Sequence, residues 1–261
     1  MTVRRAYANT AHGQIHYRHA GDRGPFVFLF HQTPLSSRQY ERALPFLGQF
    51  CRAYAFDSPG YGYSDGPLSP TTIEDYSVRL LAAIDAIGAE RFAVAGFATG
   101  SCLALAIAHA SKSRVTHGVF SGMPLLSEAR MSDFSARLGL PKVERDGSHL
   151  KHVWESRVDN YGGDEDLDQI QMAVAQTLLI YERMHWGLVV VGKYDLRPGL
   201  QALRCPTLFL MAEHDRLVPE NMAAAAMVKG SVSKVIPGGR PQICWTMPEA
   251  YAGLVKEFLN A

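Results

Sequence analysis

The turn Gly96-Phe97-Ala98-Thr99-Gly100 follows a short apolar run and leads into a helical pattern. Glycines at that spacing allow a sharp strand-to-helix turn that holds its central side chain above a sheet. The central residue is Ala98, and a methyl group cannot attack a carbonyl. The backbone N–H of Thr99 opens the helix, where the dipole favours negative charge, so it is a candidate oxyanion donor. A carboxylate, Asp215, lies in Met211-Ala-Glu-His-Asp215-Arg-Leu-Val-Pro219, and a guanidinium, Arg240, in Ile236-Pro-Gly238-Gly239-Arg240-Pro241-Gln242. Arginine stays protonated near neutral pH because its pKa exceeds about 12, so Arg240 binds anions or pairs with Asp215 rather than abstracting protons. His31, in Phe30-His31-Gln32-Thr33-Pro34, carries an imidazole that titrates near 6.5 when unperturbed and suits proton transfer. The amide of Gln32 beside it can bond a ligand carbonyl.

These residues sit at the ends of strand-length apolar runs. Phe26–Phe30, Arg52–Phe56, residues 92–95, 115–120, 207–211 and 233–236 read as strands buried on both faces, as in parallel sheets. Residues 4–8 and 14–18 flank Asn9-Thr-Ala-His-Gly13 and read as an antiparallel hairpin. Helical patterns fall at 37–47, 72–87, 100–110, 222–228 and Pro248–Leu259, the second opening on a capping box, Thr71-Thr-Ile-Glu74. Strands alternating with helices predict an α/β fold with a mostly parallel, doubly wound sheet. Residues 123–194 break the alternation and read as a helical lid, so 1–122 and 195–261 form the core domain. Within the lid, His185 and Trp186 stand near Tyr181 and Met184, as ordinary packing or as the roof of an apolar ligand cavity. An acidic loop runs from Gly162 to Asp168.

Composition narrows the function. Apolar residues make up 47% of the 261-residue chain and charged residues 20%, with a formal net charge of +1. That balance builds a real core and lacks the basic footprint of a nucleic-acid binder. No apolar run is long enough for a bilayer, and Arg4 and Arg5 precede no signal-like segment. Cys51, Cys102, Cys205 and Cys244 lie far apart, as reduced thiols of a cytoplasmic protein would. His149 and His152 alone are a poor metal set, so no metal and no cofactor are expected. The expected partner is a small-molecule substrate, without nucleic acid or membrane; homodimerisation is left open.

Four of these segments, in order, resemble the α/β-hydrolase superfamily. They are the His31–Pro34 turn, the loop Asp57-Ser-Pro-Gly-Tyr-Gly-Tyr-Ser-Asp65, the Gly96–Gly100 turn and the Asp215 loop; Pro248-Glu-Ala-Tyr resembles the start of its last helix. The resemblance implies an α/β-hydrolase fold, an oxyanion hole from the Gln32 and Thr99 N–H groups, Asp215 as catalytic acid and a structural His31. It also implies Ser where Ala98 stands and His where Arg240 stands, and no histidine follows His214. The chain departs from the pattern at both. Thr99, Ser101 and Cys102 do not fit the nucleophile position. Ala98 is either an engineered inactivation or, together with Arg240, the mark of a natural member without the triad. The function expected is an atypical enzyme acting on a small carbonyl compound without an acyl-enzyme, such as a lyase, decarboxylase or cyclase. The alternatives are a conventional ester, amide or C–C hydrolase inactivated by Ala98, and a non-catalytic ligand-binding protein.

Overall fold

The computed structural model describes residues 1–111, 113–126, 141–161 and 166–260. Eight strands form one sheet in the order β1-β2-β4-β3-β5-β6-β7-β8. They are β1 (Arg4–Thr10), β2 (Gly13–Ala20), β3 (Phe26–Phe30), β4 (Arg52–Phe56), β5 (Phe92–Phe97), β6 (Val115–Ser121), β7 (Thr207–Ala212) and β8 (Val232–Ile236). β1 and β2 form the antiparallel hairpin and β2 joins β4 antiparallel; every pairing from β4 to β8 is parallel. Strands β3 to β7 are covered on both faces, which is why they read as continuous apolar runs; β8 lies at the sheet edge with only Ile236 buried, which corrects the expectation that residues 233–236 are buried on both faces. In β3, Phe28 and Phe30 enter one core with Leu80, Ile84 and Leu103, while Val27 and Leu29 enter the other with Leu44, Tyr251 and Val255. This is an α/β-hydrolase fold.

Between the strands run α1 (Leu44–Leu47), α2 (Ile73–Ile87) and α3 (Thr99–Ala110); between β6 and β7 run α4 (Ser148–Tyr161), α5 (Leu167–Leu179), α6 (Trp186–Val191) and α7 (Leu196–Ala202). After β7 come α8 (Val218–Ala226), α9 (Ile243–Thr246) and α10 (Pro248–Leu259). None of the described helices is long and apolar enough to cross a membrane. The acidic loop falls partly outside the described residues. In its described part, Asp166 caps α5 by accepting from Gln169 N–H, and together with Asp168 it faces Arg42 of the core at 3.5 and 3.3 Å.

Three further local expectations are corrected. The helix expected over 37–47 is split into a 3₁₀ turn, Ser37–Tyr40, and the single turn of α1, with Pro45 in its first positions. Proline lacks the N–H that a continuous helix needs and clashes with the preceding turn. The helix expected from Met222 begins at Val218, where Pro219 occupies a first-turn position that suits it. The cap of α2 is Thr72, not Thr71: Thr72 Oγ1 accepts from Asp75 N–H at 3.1 Å. Replacing Thr72 by Ala therefore costs about 1 kcal/mol in urea unfolding, as for other N-caps. Thr71→Ala changes stability by less than about half of that, the ordinary range for a surface substitution.

Candidate functional site

β5 delivers the chain to Ala98 at φ 50°, ψ −113°, a strained conformation for any residue with a Cβ. Three backbone bonds hold it there: Ala98 N–H to Ser121 O and Ser101 N–H to Ala98 O, both 2.9 Å, and Cys102 N–H to Ala98 O at 3.3 Å. The flanking glycines are fixed by close approach. A Cβ on Gly100 would collide with the carbonyl of Phe30, and one on Gly96 with the carbonyl of Gly100. The first turn of α3 therefore lies directly against the end of β3. Ala98 is half-buried while the residues on both sides are buried, so its methyl is the part of this turn offered to a ligand. Thr99, buried, opens α3.

The neighbouring hydroxyl and thiol are committed elsewhere. Ser101 Oγ lies 2.8 Å from the carbonyls of both Gly96 and Ser121 and accepts from Ser121 N–H. Burial pushes the Cys102 thiol far above its ordinary pKa, so it stays protonated and weakly nucleophilic.

The turn after β3 corrects two expectations. The Gln32 N–H donates to Gln39 Oε1 at 3.0 Å and is not open to a ligand. The Gln32 carbonyl accepts from Leu35 N–H at 2.9 Å and from His31 Nδ1 at 2.8 Å. Since the peptide is planar and trans, the Thr33 N–H points the opposite way from that carbonyl. No partner for it occurs among the described residues, so the candidate oxyanion donors are Thr33 N–H and Thr99 N–H. His31 is not a proton carrier either. Its Nε2 accepts from Ser58 N–H at 2.8 Å, which leaves Nδ1 to donate to Gln32. The ring is 1% exposed, and burial lowers its pKa, so it stays neutral with both nitrogens used. It fastens the turn after β3 to the loop after β4.

Asp57 reinforces the same junction. It accepts from Ser37 N–H at 2.7 Å, from His16 Nδ1 at 2.8 Å and from Tyr63 N–H at 2.9 Å. Burial alone would raise its pKa, but these bonds outweigh it and hold the carboxyl below its usual range. Asp57 orders its own loop.

Asp215 and Arg240 follow the last two strands, β7 and β8. Their loops are joined by His214 N–H to Gly239 O at 2.8 Å and Gly238 N–H to Glu213 Oε2 at 2.7 Å. His214 itself is exposed. Asp215 Oδ1 accepts from Leu217 N–H at 2.9 Å, and Oδ2 faces Gly122 beside Phe97. Ala98, Asp215 and Arg240 thus all lie beyond the carboxyl ends of parallel strands, where open α/β sheets bind ligands.

The helices between β6 and β7 complete the surroundings. Gly187 N–H donates to Tyr61 Oη at 2.7 Å, and Gly187 lies so close to Thr33 that a Cβ would strike its Oγ1. This seats half-buried His185 and Trp186 beside the turn after β3. Gln32 Nε2 donates to Tyr161 Oη at 3.1 Å, and Arg157 and Gln242 also face that hydroxyl. Tyr161, Arg157 and Gln242 had no place in the sequence-based site. Only the glycine-rich turn around Arg240 pointed toward Gln242; nothing local marked Arg157.

Burial raises the Asp215 pKa first of all; Leu217 N–H and Arg216 act against this, and Glu220 adds to it. The folded chain therefore holds that proton more tightly than the unfolded chain. The group favours folding in acid and opposes it once the pH passes its folded pKa. Asp215→Asn, which keeps the oxygen that accepts from Leu217, raises Tm at pH 7. The gain disappears as the pH falls below the ordinary carboxylate range near about 4, as thermal melts across pH will show.

Comparison with known proteins agrees with this architecture. A pimeloyl-[acyl-carrier protein] methyl ester esterase of Edwardsiella ictaluri is 27% identical over 251 residues, covering 90% of this chain and 93% of that one. The biotin biosynthesis bifunctional protein BioHC of Cellvibrio japonicus is 26% identical over 249 residues, covering 90% of this chain, which spans only 47% of that longer relative. The crystal structure of the enol-lactonase from Burkholderia xenovorans LB400 superposes with a TM-score of 0.81 at 16% identity, covering 98% of this chain and 100% of that one. The alpha/beta hydrolase family model matches residues 12–254, and the chain belongs to that family.

Proposed function

We propose that this chain carries the ester-type hydrolase site of its family with the nucleophile taken out. A small carbonyl compound binds above Ala98, beside the helices between β6 and β7, with its oxygen toward the N–H groups of Thr33 and Thr99. No acyl-enzyme forms at position 98. The observation that carries this reading is the strained turn itself: backbone, glycines and helix terminus are all in place around a methyl group. Relatives named as methyl ester esterases favour a carbonyl ester as the ligand class. Asp215 supplies the carboxylate, and Arg240 stands where an imidazole would have to be.

A second reading rests on the pairing of Ala98 with Arg240. One inactivating substitution would account for Ala98 alone. Both together suit a site that stabilises an enolate-like oxyanion without a covalent step, as in lyase, decarboxylase or cyclase chemistry. An oxyanion hole and binding alone retain roughly 10³–10⁴-fold catalysis over water in the worked serine-protease case, so such a floor remains chemically useful.

Fluorophosphonate labelling and hydrolysis of p-nitrophenyl acetate test the first reading. The wild-type chain is expected to show neither. Ala98→Ser alone gains little, because no imidazole activates the hydroxyl. The double variant Ala98→Ser/Arg240→His gains labelling and turnover at least about 100-fold above the single variant, within the span that general-base catalysis contributes. Labelling of the wild-type chain sinks the proposal. A folded double variant with neither labelling nor turnover leaves the non-covalent reading in possession.

A further inference from the structure

The buried polar groups around Tyr161 are arranged in a way that the carbonyl site does not account for. Arg157 of α4 is 8% exposed, and its Nε has no hydrogen-bond partner. Its Nη2 donates to Ser156 Oγ at 3.2 Å and its guanidinium bonds the Tyr161 hydroxyl, both of them neutral groups. Among the described residues no carboxylate lies within ion-pair distance of it. A buried guanidinium without a counter-charge is costly, and proteins normally pair it. Gln242 is fully buried at φ 63°, its amide turned to the same hydroxyl, and no other group partners either amide atom. Trp245 Nε1, in the apolar cluster that includes Tyr161 and Leu35, is likewise unpartnered.

These groups come from separate parts of the chain and converge. Gln242 follows Arg240 in the turn after β8; Gln32 follows His31 in the turn after β3; Arg157 and Tyr161 are one helical turn apart on α4. The set is rich in donors: the guanidinium Nε, two side-chain amides, an indole N–H and a hydroxyl. A donor-rich, positively charged and buried cluster is complementary to a planar anion that accepts two bonds at once, and a carboxylate meets a guanidinium in that geometry. The apolar surround of Leu35, Ile170 and Met172 strengthens the attraction by excluding water.

We propose that Arg157, Tyr161, Gln242 and Gln32 form a carboxylate subsite, so that the ligand is a carbonyl compound with a free carboxylate at its other end. This rests on the reading that the carbonyl end lies above Ala98. The carboxylate supplies the counter-charge that Arg157 lacks and fixes the orientation of the ligand.

Calorimetry on the intact wild-type chain tests the subsite directly, because Ala98 leaves an ester unhydrolysed. The probes are the monomethyl and dimethyl esters of succinate, glutarate and adipate. At least one half-ester is expected to bind about 10- to 100-fold more tightly than its diester, the range of a charge-assisted bond. Arg157→Gln removes that preference, whereas Arg204→Gln, at an exposed arginine that bonds the carbonyls of Gln201 and Leu203, retains it. If Arg157→Gln does not fold, Gln242→Ala is expected to reduce the preference at least about threefold, as for a lost neutral hydrogen bond. Equal binding of half-ester and diester, or a preference unchanged in a folded Arg157→Gln, overturns the subsite and leaves the carbonyl site standing. Failure of every ester to bind overturns the subsite; only if the Ala98→Ser/Arg240→His variant is also inert does the carbonyl site fall with it.

Discussion

The contact between Gly100 and the Phe30 carbonyl governs the rest of the site. A helix can bring its first turn against the end of a neighbouring strand only where no side chain intervenes, and here even a methyl would overlap the carbonyl. That approach places the N-terminus of α3 next to the turn after β3. The open ends of the helix backbone and the polar turn then face one space, and the helix dipole makes that space favourable to negative charge. The strain at Ala98 follows from the same contact. A chain that leaves β5 and must start a helix this close to β3 has no relaxed way to turn, so the conformation persists with a methyl where a hydroxyl would do chemistry. The strain belongs to the backbone packing rather than to the side chain that it displays.

Around that contact, two buried groups act as rivets. His31 bridges Gln32 and Ser58, and Asp57 gathers Ser37, His16 and Tyr63. His31 spends both ring nitrogens on backbone groups, and Asp57 spends its carboxylate on two backbone N–H groups and the His16 ring. An imidazole holding an N–H at one nitrogen and a carbonyl at the other has no capacity left for proton transfer, and protonating it would set two N–H groups against each other at Ser58. Asp57 stays ionised although buried, because three donors replace the water it loses. The turn after β3 can therefore orient Thr33 N–H firmly without contributing a titrating group.

What the sequence made legible was whatever depends on near neighbours. The apolar runs of β3 to β7 reveal strands because both faces of a parallel sheet are covered, and the glycine spacing around Ala98 reveals the turn because it records a steric demand. Asp215 and Arg240 stand in the loops after β7 and β8. Where a local rule competed with another, the reading slipped: Pro45 broke a pattern that periodicity alone would have made one helix, and Thr72, with extended backbone and a hydroxyl that accepts from Asp75 N–H, is the cap instead of Thr71. The donor assignment at Gln32 failed for a different reason. Gln39 lies seven residues away, within the 3₁₀ turn Ser37–Tyr40, and no spacing rule announces that its side chain folds back to take that N–H. Gln242 and Arg157 are further still from local inference, since their meaning arises from convergence at Tyr161.

That convergence bears on how the two arginines differ. Arg240 stands half-buried on a loop joined through the backbone to the Asp215 loop, where solvent and neighbouring groups can moderate its charge. Arg157 stands nine-tenths buried on a helix, one turn from a tyrosine that already holds Gln32. An exposed or half-exposed guanidinium can be kept at little energetic cost, and a buried one cannot unless something neutralises it. The burial of Arg157, rather than the presence of arginine near the site, is therefore what calls for an anionic ligand. A site with its oxyanion donors at one end and a desolvated cation at the other discriminates by the distance between two negative ends of one molecule. Such a constraint selects a ligand whether or not a nucleophile stands at position 98.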